Sequence, residues 1–433
     1  MKPISYILKE KVWVTPALYS IGAILLSLAS FYLDMYFTER LQNYIPQIFL
    51  TSVEVGQTIL GILTAAMLTM TTFTFSTVLV VLTMYTSQFS PRAPENFIRS
   101  RSTKHVLGIF VAGFIFNLLS LLYIREDIFD HEILTTTIGI LLVFFCIATF
   151  AYYIHFVATN IQISTLINKL IDDADDVISQ YVELQDENFV SMENWEPVKK
   201  QETLKADSAG YIQFLDLVGL VKFAQKQDIQ IDVIVKIGEY VYEGKPLMHI
   251  YTEGGKSITL NRFLTIGNEQ TAEQDLGYAI QKIVEVGIRA ISPGRQDPNT
   301  TNDILIRLGR LLGKMGHLKT DDLVLTDDQE MNRVLYRFSP YRDILYRAYY
   351  QLSYQGRSDI SVISSMTESL TVTAALAPKM RHETIWKTQL YILEGINKEA
   401  LKEADWAYLQ KRVDELAEMT AQKTVDLTIY NKK

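Results

Sequence analysis

The chain has 433 residues, 48% of them hydrophobic and 21% charged, with a net charge of −8 and one cysteine. A single cysteine excludes an intrachain disulfide, and the acidic balance argues against general nucleic-acid binding, which needs a basic face. The length allows two or three domains; the apolar residues crowd before residue 170, and the remainder reads as an ordinary soluble chain.

A bilayer core takes roughly 20 mostly apolar residues in a helix. Four segments qualify. No charge lies between Lys11 and Asp34, between Glu54 and Arg92, or between Lys104 and Arg125. Between Glu132 and Lys169 the only ionisable side chains are Cys146, Tyr152, Tyr153 and His155. The first run follows Lys2, Lys9 and Lys11 as a secretory signal would, but it continues past the weak small-residue site at Ser27 and Ala29, so it is expected to be a retained anchor. Loop charge sets orientation. Lys2, Lys9 and Lys11 precede the first span, Arg40 alone follows it, Arg92, Arg99, Arg101 and Lys104 lie in the second loop, and Arg125 is alone in the third. The alternation predicts that both termini, and everything after the fourth span, are cytoplasmic. Cys146 lies in an apolar run, where a buried, inert thiol is expected.

The second span carries the most unusual pattern. In Met67–Thr86, eight of twenty residues are Thr or Ser. At about 100° per residue, Gln57, Thr64, Thr71, Thr72 and Ser76 fall within an arc of roughly 160°, with Ile59, Leu63, Met70, Phe73 and Val81 opposite. Two readings remain open. Small and hydroxylated residues let membrane helices approach closely, and Ser and Thr can bond back to their own helix. Alternatively, uncharged hydroxyls suit a wet path in which an ion binds weakly enough to leave; Glu54 and Gln57 would then stand at its outer mouth. Spans free of mid-depth Asp, Glu, Lys and Arg give a proton relay little support. Asn117 is the one amide at depth, expected in an interhelical hydrogen bond. The helix should overrun the hydrocarbon layer and stop at Ser90-Pro91.

Beyond the fourth span a helix is expected to continue, with Ile161, Ile163, Leu166, Leu170 and Ile178 as its apolar stripe. Asp172, Asp173, Asp175 and Asp176 read as its solvated face, since no ligand spacing accompanies them. Next, Ile229, Ile231, Val233 and Val235 alternate with Gln230, Asp232 and Ile234, and glycines punctuate the flanking runs, as in a small β-barrel or sandwich. The phrase IGEYVYEGKPLMHI resembles half of a biotinyl or lipoyl carrier domain, but Lys256 in EGGKS lacks the carrier hairpin, and EGGKS lacks the P-loop's first glycine because Ile250 stands there. No prosthetic group or other cofactor is expected. Thr271–Gln274 reads as a capping box opening a helix up to Ala290. Pro293-Gly294 is a turn, and Asp297 before Pro298 suits an N-cap. That helix start could hold an anion with Arg295, Asp297 and Asn299 as candidates, or be a tight inter-helix turn. Two amphipathic helices are expected between Glu383 and Gln422.

The fold class expected is therefore a mainly α membrane protein: four transmembrane helices (residues 1–160), a connecting helix and linker (161–207), a small β module (208–262) and a helical part (263–433), the last two forming an α+β cytoplasmic domain. The segments SQFSPR at 87–92, LGIF at 107–110, SAGYIQFLD at 208–216, EYVYEGKPL at 239–247, TAEQDLGYAIQKI at 271–283 and RAISPGRQDP at 289–298 stand in order. Together they resemble the bacterial predicted-membrane-protein family numbered 2254 among the domains of unknown function. The chain departs from the family's usual pattern at Arg295-Gln296 and Asn299-Thr300. The resemblance implies four spans in a bacterial cytoplasmic membrane with a cytoplasmic domain, and no established activity.

Three function classes follow: a homo-oligomeric channel for small ions or solutes lined by the second span, a membrane-tethered binding or signalling module, and a membrane enzyme. The last is weakest, because HExxH, GxSxG, GxGxxG, CxxC and a complete P-loop are all missing. Six scattered histidines give no metal signature. The expected partners are the lipid bilayer and further copies of the chain.

Overall fold

A computed structural model of the protein describes residues 13–38, 44–88, 101–160, 163–187, 190–191, 195–197, 201–252, 260–319 and 322–427. The chain divides into two compact units, Met1–Thr165 and Leu166–Lys433.

The first unit contains α1 (Val14–Leu33), a short π-helical turn (Asp34–Thr38), α2 (Val53–Gln88), α3 (Arg101–Tyr123) and α4 (Thr135–Asn160). Each of the four α-helices is long and apolar enough to cross a membrane, as the charge-free runs predict. α3 lies at the centre, packed on α1, α2 and α4. Of its most apolar stretch 44% is buried, against 17% for α1, 17% for α2 and 22% for α4, so the outer three keep broad apolar faces for lipid. Small residues make the crossings close. A Cβ at Gly108 would lie 2.6 Å from the Tyr19 ring, and one at Gly113 would lie 2.9 Å from Cys146 Sγ. Ser27 and Ser120 share a hydrogen bond of 3.3 Å between α1 and α3. Cys146 is fully buried, as its apolar run suggests.

At one end, Val53, Leu60, Ile124, Phe129 and Ile133 form an apolar cluster, and a bridge joins Thr51 to Ile133. α2 runs 36 residues, about 54 Å at 1.5 Å per residue, longer than the hydrocarbon layer. The expected stop at Ser90-Pro91 lies outside the described residues.

The second unit is built on α5 (Ile163–Glu187), whose larger part lies in it. Leu166, Ile167, Leu170, Ile171, Ala174, Val177, Ile178 and Tyr181 are buried at helical spacing, while Asp172, Asp173 and Asp176 are exposed. Asp175 pairs with Lys314 at 3.0 Å. Strands and helices then mix: β1 (Val190–Ser191), β2 (Gln201–Lys205), β3 (Gly210–Leu215), α6 (Leu217–Gln227), β4 (Gln230–Val233), β5 (Tyr240–Val241), β6 (Pro246–Tyr251), β7 (Leu264–Gly267), α7 (Leu276–Ala290), α8 (Pro298–Met315), β8 (Asp322–Thr326), β9 (Asn332–Arg337), α9 (Tyr341–Gly356), α10 (Ile360–Leu376), α11 (His382–Glu394) and α12 (Glu403–Thr420).

The strands do not close into a module over residues 208–262. They divide between a six-stranded sheet, ordered β1-β8-β9-β4-β6-β2, and a three-stranded sheet, ordered β5-β3-β7. β4 pairs in parallel with β9, about a hundred residues on, at Ile231 to Val334 and Val233 to Tyr336; the other pairings are antiparallel. The period-two run does bury Ile229, Ile231, Val233 and Val235. Its Asp232 is held by Arg337 of β9 at 2.5 Å, and Arg333 of the same strand bonds the buried Asp327 at 2.6 Å. A local alternation fixes which face is inside, whereas a remote parallel partner leaves no local trace.

One helix start differs from expectation. The Thr271–Gln274 segment does not cap α7; the N-cap is Asp275, whose side chain accepts from the Tyr278 N–H at 2.9 Å. Gln274 instead ties to β3, accepting from the Leu215 N–H at 3.0 Å.

Candidate functional site

The hydroxyl-rich α2 is the candidate that the sequence singles out. Its buried residues, Val53, Gly56, Leu60, Met67, Thr74 and Val81, recur at three, four or seven positions and face the neighbouring helices. Gly56 and Leu60 lie against α4: a Cβ at Gly56 would be 2.7 Å from Thr136 Oγ1. The expected hydroxyl arc starts at one edge of this packed face and turns away from it. Thr64 and Thr71 are half-buried at that edge, while Glu54, Thr72 and Ser76 are exposed, with Thr58, Thr69 and Thr83 beside them. Gly61, within the arc, has no atom within 4 Å of where a Cβ would stand. Among the described residues of α2 the one hydroxyl taken into the packing seam, Thr74, belongs to the apolar side of the helix.

The hydrogen bonds explain how a lipid-length helix tolerates this composition. Thr58, Thr64, Thr69, Thr71, Thr72, Thr74, Thr77 and Thr83 each donate to the carbonyl four residues earlier in α2, at 2.7–3.1 Å. Each proton is spent within the helix. What an exposed threonine presents outward is its oxygen lone pairs and its methyl group, so the open face is weakly polar and rich in acceptors. Gln57 behaves differently. Its amide donates to the Ile124 carbonyl at 2.9 Å and ties α2 to the end of α3.

Asn117 makes no interhelical bond. It donates to Gly113 of its own helix at 2.8 Å, and its Oδ1 is buried without a hydrogen-bond partner. The close approach of α4 accounts for this, since a Cβ at Gly139 would lie 2.8 Å from that oxygen. A polar group that sequence reasoning took merely for the end of the first span proves to hold the unit together. Asp34 is 1% exposed, and its carboxylate accepts from the N–H groups of Leu134 at 2.8 Å and Thr135 at 3.1 Å. An acid across the first turn of α4 satisfies orphan donors and complements the helix dipole. No local pattern reveals it, because the capped helix starts a hundred residues later.

In the second unit Asp297 caps α8, accepting from the N–H of Thr300 at 3.2 Å and from its hydroxyl at 2.6 Å. Pro298 takes the first helical position. The carboxylate thus occupies the place an anion would take, with Arg295, Asp297 and Asn299 all exposed around it; Gly294 at φ +92 and Gln296 at φ +50 make the turn. These bonds describe a capped inter-helix turn. Burial pushes the Asp275 carboxyl up to about 6, against the lowering pull of the Tyr278 N–H and of Arg347. Among the described residues no group of three or more His, Cys, Asp or Glu could hold a metal. Lys256 lies outside them.

Four apolar helices and a mixed α/β unit define a multi-pass membrane protein with a folded domain beside its spans. The chain belongs to the family described as "Predicted membrane protein (DUF2254)", which matches residues 9–372. Similar proteins include uncharacterised proteins of Mycobacterium tuberculosis, strains CDC 1551 / Oshkosh and ATCC 25618 / H37Rv, and of Mycobacterium bovis. Each is 23% identical over 363 residues, covering 81% of this chain and 70% of the relative. No solved structure matches.

Proposed function

We propose that the protein is a homo-oligomeric channel of the bacterial cytoplasmic membrane, with the hydroxyl face of α2 lining a shared path and the second unit as its cytoplasmic gating domain. The observation that carries this reading is the open hydroxyl face itself. Thr58, Thr69, Thr72, Ser76 and Thr83 are exposed on a helix of lipid-crossing length, and lipid gains nothing from hydroxyl oxygens. Four helices of one chain leave the face outside, so the path forms only between copies. Outward lone pairs can replace part of a cation's water shell while holding it weakly, and a ring of Glu54 at the mouth favours cations. The reading includes no catalysis and no nucleic-acid partner.

The orientation proposed is that of the loop charges, with both termini cytoplasmic. Cysteines introduced at Asn43 and Asp127 should label from outside the cell, and those at Glu95 and Asp207 only from inside.

The test is flux into liposomes holding purified protein, with the oligomeric state measured in parallel. Expected are an oligomer, cation flux, a lower cation preference in Glu54→Gln and blocked flux in Thr72→Leu. A monomer passing no ion or small solute at any voltage or pH would end the proposal. The same hydrogen bonds support one rival. Because each threonine bonds its own helix, the face needs no partner, and the spans could serve solely to anchor the second unit. That reading expects wild-type behaviour from Thr72→Leu.

A further inference from the structure

α9 and α11 flank a cavity of about 540 Å³ in the second unit, with the short turn Lys379–Arg381 at its edge. The volume suits a small organic ligand. Its lining combines two chemistries. Arg342, Arg381 and Lys387 supply three positive charges, and none of the described lining residues is acidic. Tyr341, Tyr346 and Tyr391 supply aromatic surface.

The cations differ in how they are held. Arg381 donates to the carbonyls of Gly316 at 3.2 Å and Leu318 at 2.9 Å, and its guanidinium lies over the Tyr341 ring, 5.1 Å from the centroid. It is a fixed charge. Arg342 and Lys387 are exposed and lean on Asp343 at 3.4 Å and Glu383 at 2.7 Å. Such surface pairs are weak, so either cation can exchange its carboxylate for a phosphate at little cost. Two helix starts border the cavity, without a side-chain cap from Pro340 of α9 or Arg381 of α11 and with Asp343 and Glu383 in their first turns.

The tyrosines are arranged as a platform. Tyr346 stacks on Tyr350, centroids 5.0 Å apart and planes 8° from parallel. Tyr391 meets Tyr346 edge to face at 5.6 Å. One face of Tyr346 is therefore backed by a second ring, yet half of the residue, 51%, remains exposed. Its exposed part stands beside the cations as a free aromatic surface.

We infer that this cavity binds a nucleotide, with the phosphates against Arg342, Arg381 and Lys387 and the base on the Tyr346–Tyr391 platform. Thr384 and Thr388, also in the lining, offer hydroxyls to the sugar or the phosphates. The inference is independent of transport: it needs neither flux nor an oligomer.

Calorimetric titration of the full-length protein in detergent with ATP, GTP, UTP and inorganic triphosphate tests it. At least one nucleotide should bind, and inorganic triphosphate about tenfold or more weakly, because base stacking on an aromatic side chain is worth roughly 1–3 kcal/mol. Arg342 and Lys387 are exposed, and Tyr346→Leu keeps an apolar side chain against Tyr350 and Tyr391; circular dichroism of each variant checks that it folds like the parent. Arg342→Ala/Lys387→Ala should weaken nucleotide and triphosphate alike by tenfold or more; Tyr346→Leu should weaken the nucleotide alone. Tyr408→Leu, an exposed tyrosine outside the cavity, should change neither. The inference is overturned by no binding at millimolar concentration, by triphosphate binding as tightly as every nucleotide, or by variants that bind like the parent.

Discussion

Two helices of this protein are rich in Ser and Thr, and only one of them also turns its hydroxyls toward a neighbouring helix. In α2 the threonines bond back to their own carbonyls and most of the arc is exposed. In α10, Ser364, Thr367, Ser369 and Thr373 are all buried. There Ser369 donates across to the Leu305 carbonyl of α8, Thr373 shares its proton between the carbonyls of Ser369 in its own helix at 2.8 Å and Gly309 of α8 at 3.1 Å, and Thr367, which bonds back to Ile363, accepts from Gln389 of α11. The facing glycine decides the difference. A Cβ at Gly309 would lie 2.4 Å from the Ser369 carbonyl oxygen, whereas Gly61 in the α2 arc has open space. Hydroxyl content thus permits a close crossing without causing one; a partner backbone must come near enough to accept.

The largest expected effect breaks the crossing itself. Gly309→Val pushes a β-branched side chain into backbone and should cost about 3 kcal/mol or more, read as a lower thermal midpoint by tryptophan fluorescence. Gly61→Val should leave that midpoint nearly unchanged. Equal losses at the two glycines would show that the α2 arc is not open.

Two carboxylates form a second contrast: the buried Asp34 accepts N–H groups from a segment remote in sequence, and the half-buried Asp275 caps its own helix. Asp275 has its folded pKa raised to about 6, chiefly by burial, against about 3.9 when unfolded. The folded state therefore holds the proton more tightly between these values. Stability should be greatest below pH 4 as far as this group is concerned, fall as the pH rises from 4 to 6, and level off above, by at most about 2–3 kcal/mol. Asp275→Asn keeps an N-cap and should remove that slope, measured as urea midpoints across the window. A slope that persists in the variant belongs to other groups. Smaller again, Thr373→Val removes a buried hydroxyl shared between the Ser369 and Gly309 carbonyls and should cost about 1 kcal/mol in the same urea assay.

The contrast also explains what was legible in the sequence. The four spans were readable because lipid demands an uncharged run of fixed length, a one-dimensional property. The buried stripe of α5, the Asp297 cap and the inward face of β4 were readable because each depends on neighbours within a few residues. The sheet was not, since β4 meets β9 across a hundred residues and the sequence carries no record of the pairing. The cap of α4 by Asp34 was hidden for the same reason. The candidate arc on α2 could be drawn as a face; which part of it packs depended on Gly56, Leu60 and their partners on other helices. Asn117 shows the converse error, an amide expected to reach across that turns inward because Gly139 leaves it no room to do otherwise.

The smallest expected effect is the most telling for α2. Thr72 is exposed and spends its proton on the Leu68 carbonyl at 2.9 Å. Thr72→Val keeps the shape and removes only that internal bond, leaving a carbonyl that still accepts from the helix N–H ladder. Fold stability should change by less than about 0.5 kcal/mol. Thr74→Val, equal in chemistry but buried, should not change it much more, since Thr74 also bonds only its own helix, to Met70 at 2.9 Å. The pair therefore separates function from packing. If the arc lines a path, Thr72→Val removes an outward oxygen and lowers cation flux in liposomes, while Thr74→Val leaves flux alone. If α2 is an anchor, the two variants are indistinguishable in every assay. A flux loss confined to Thr74→Val would place the path on the packed face and reverse the assignment of the two sides.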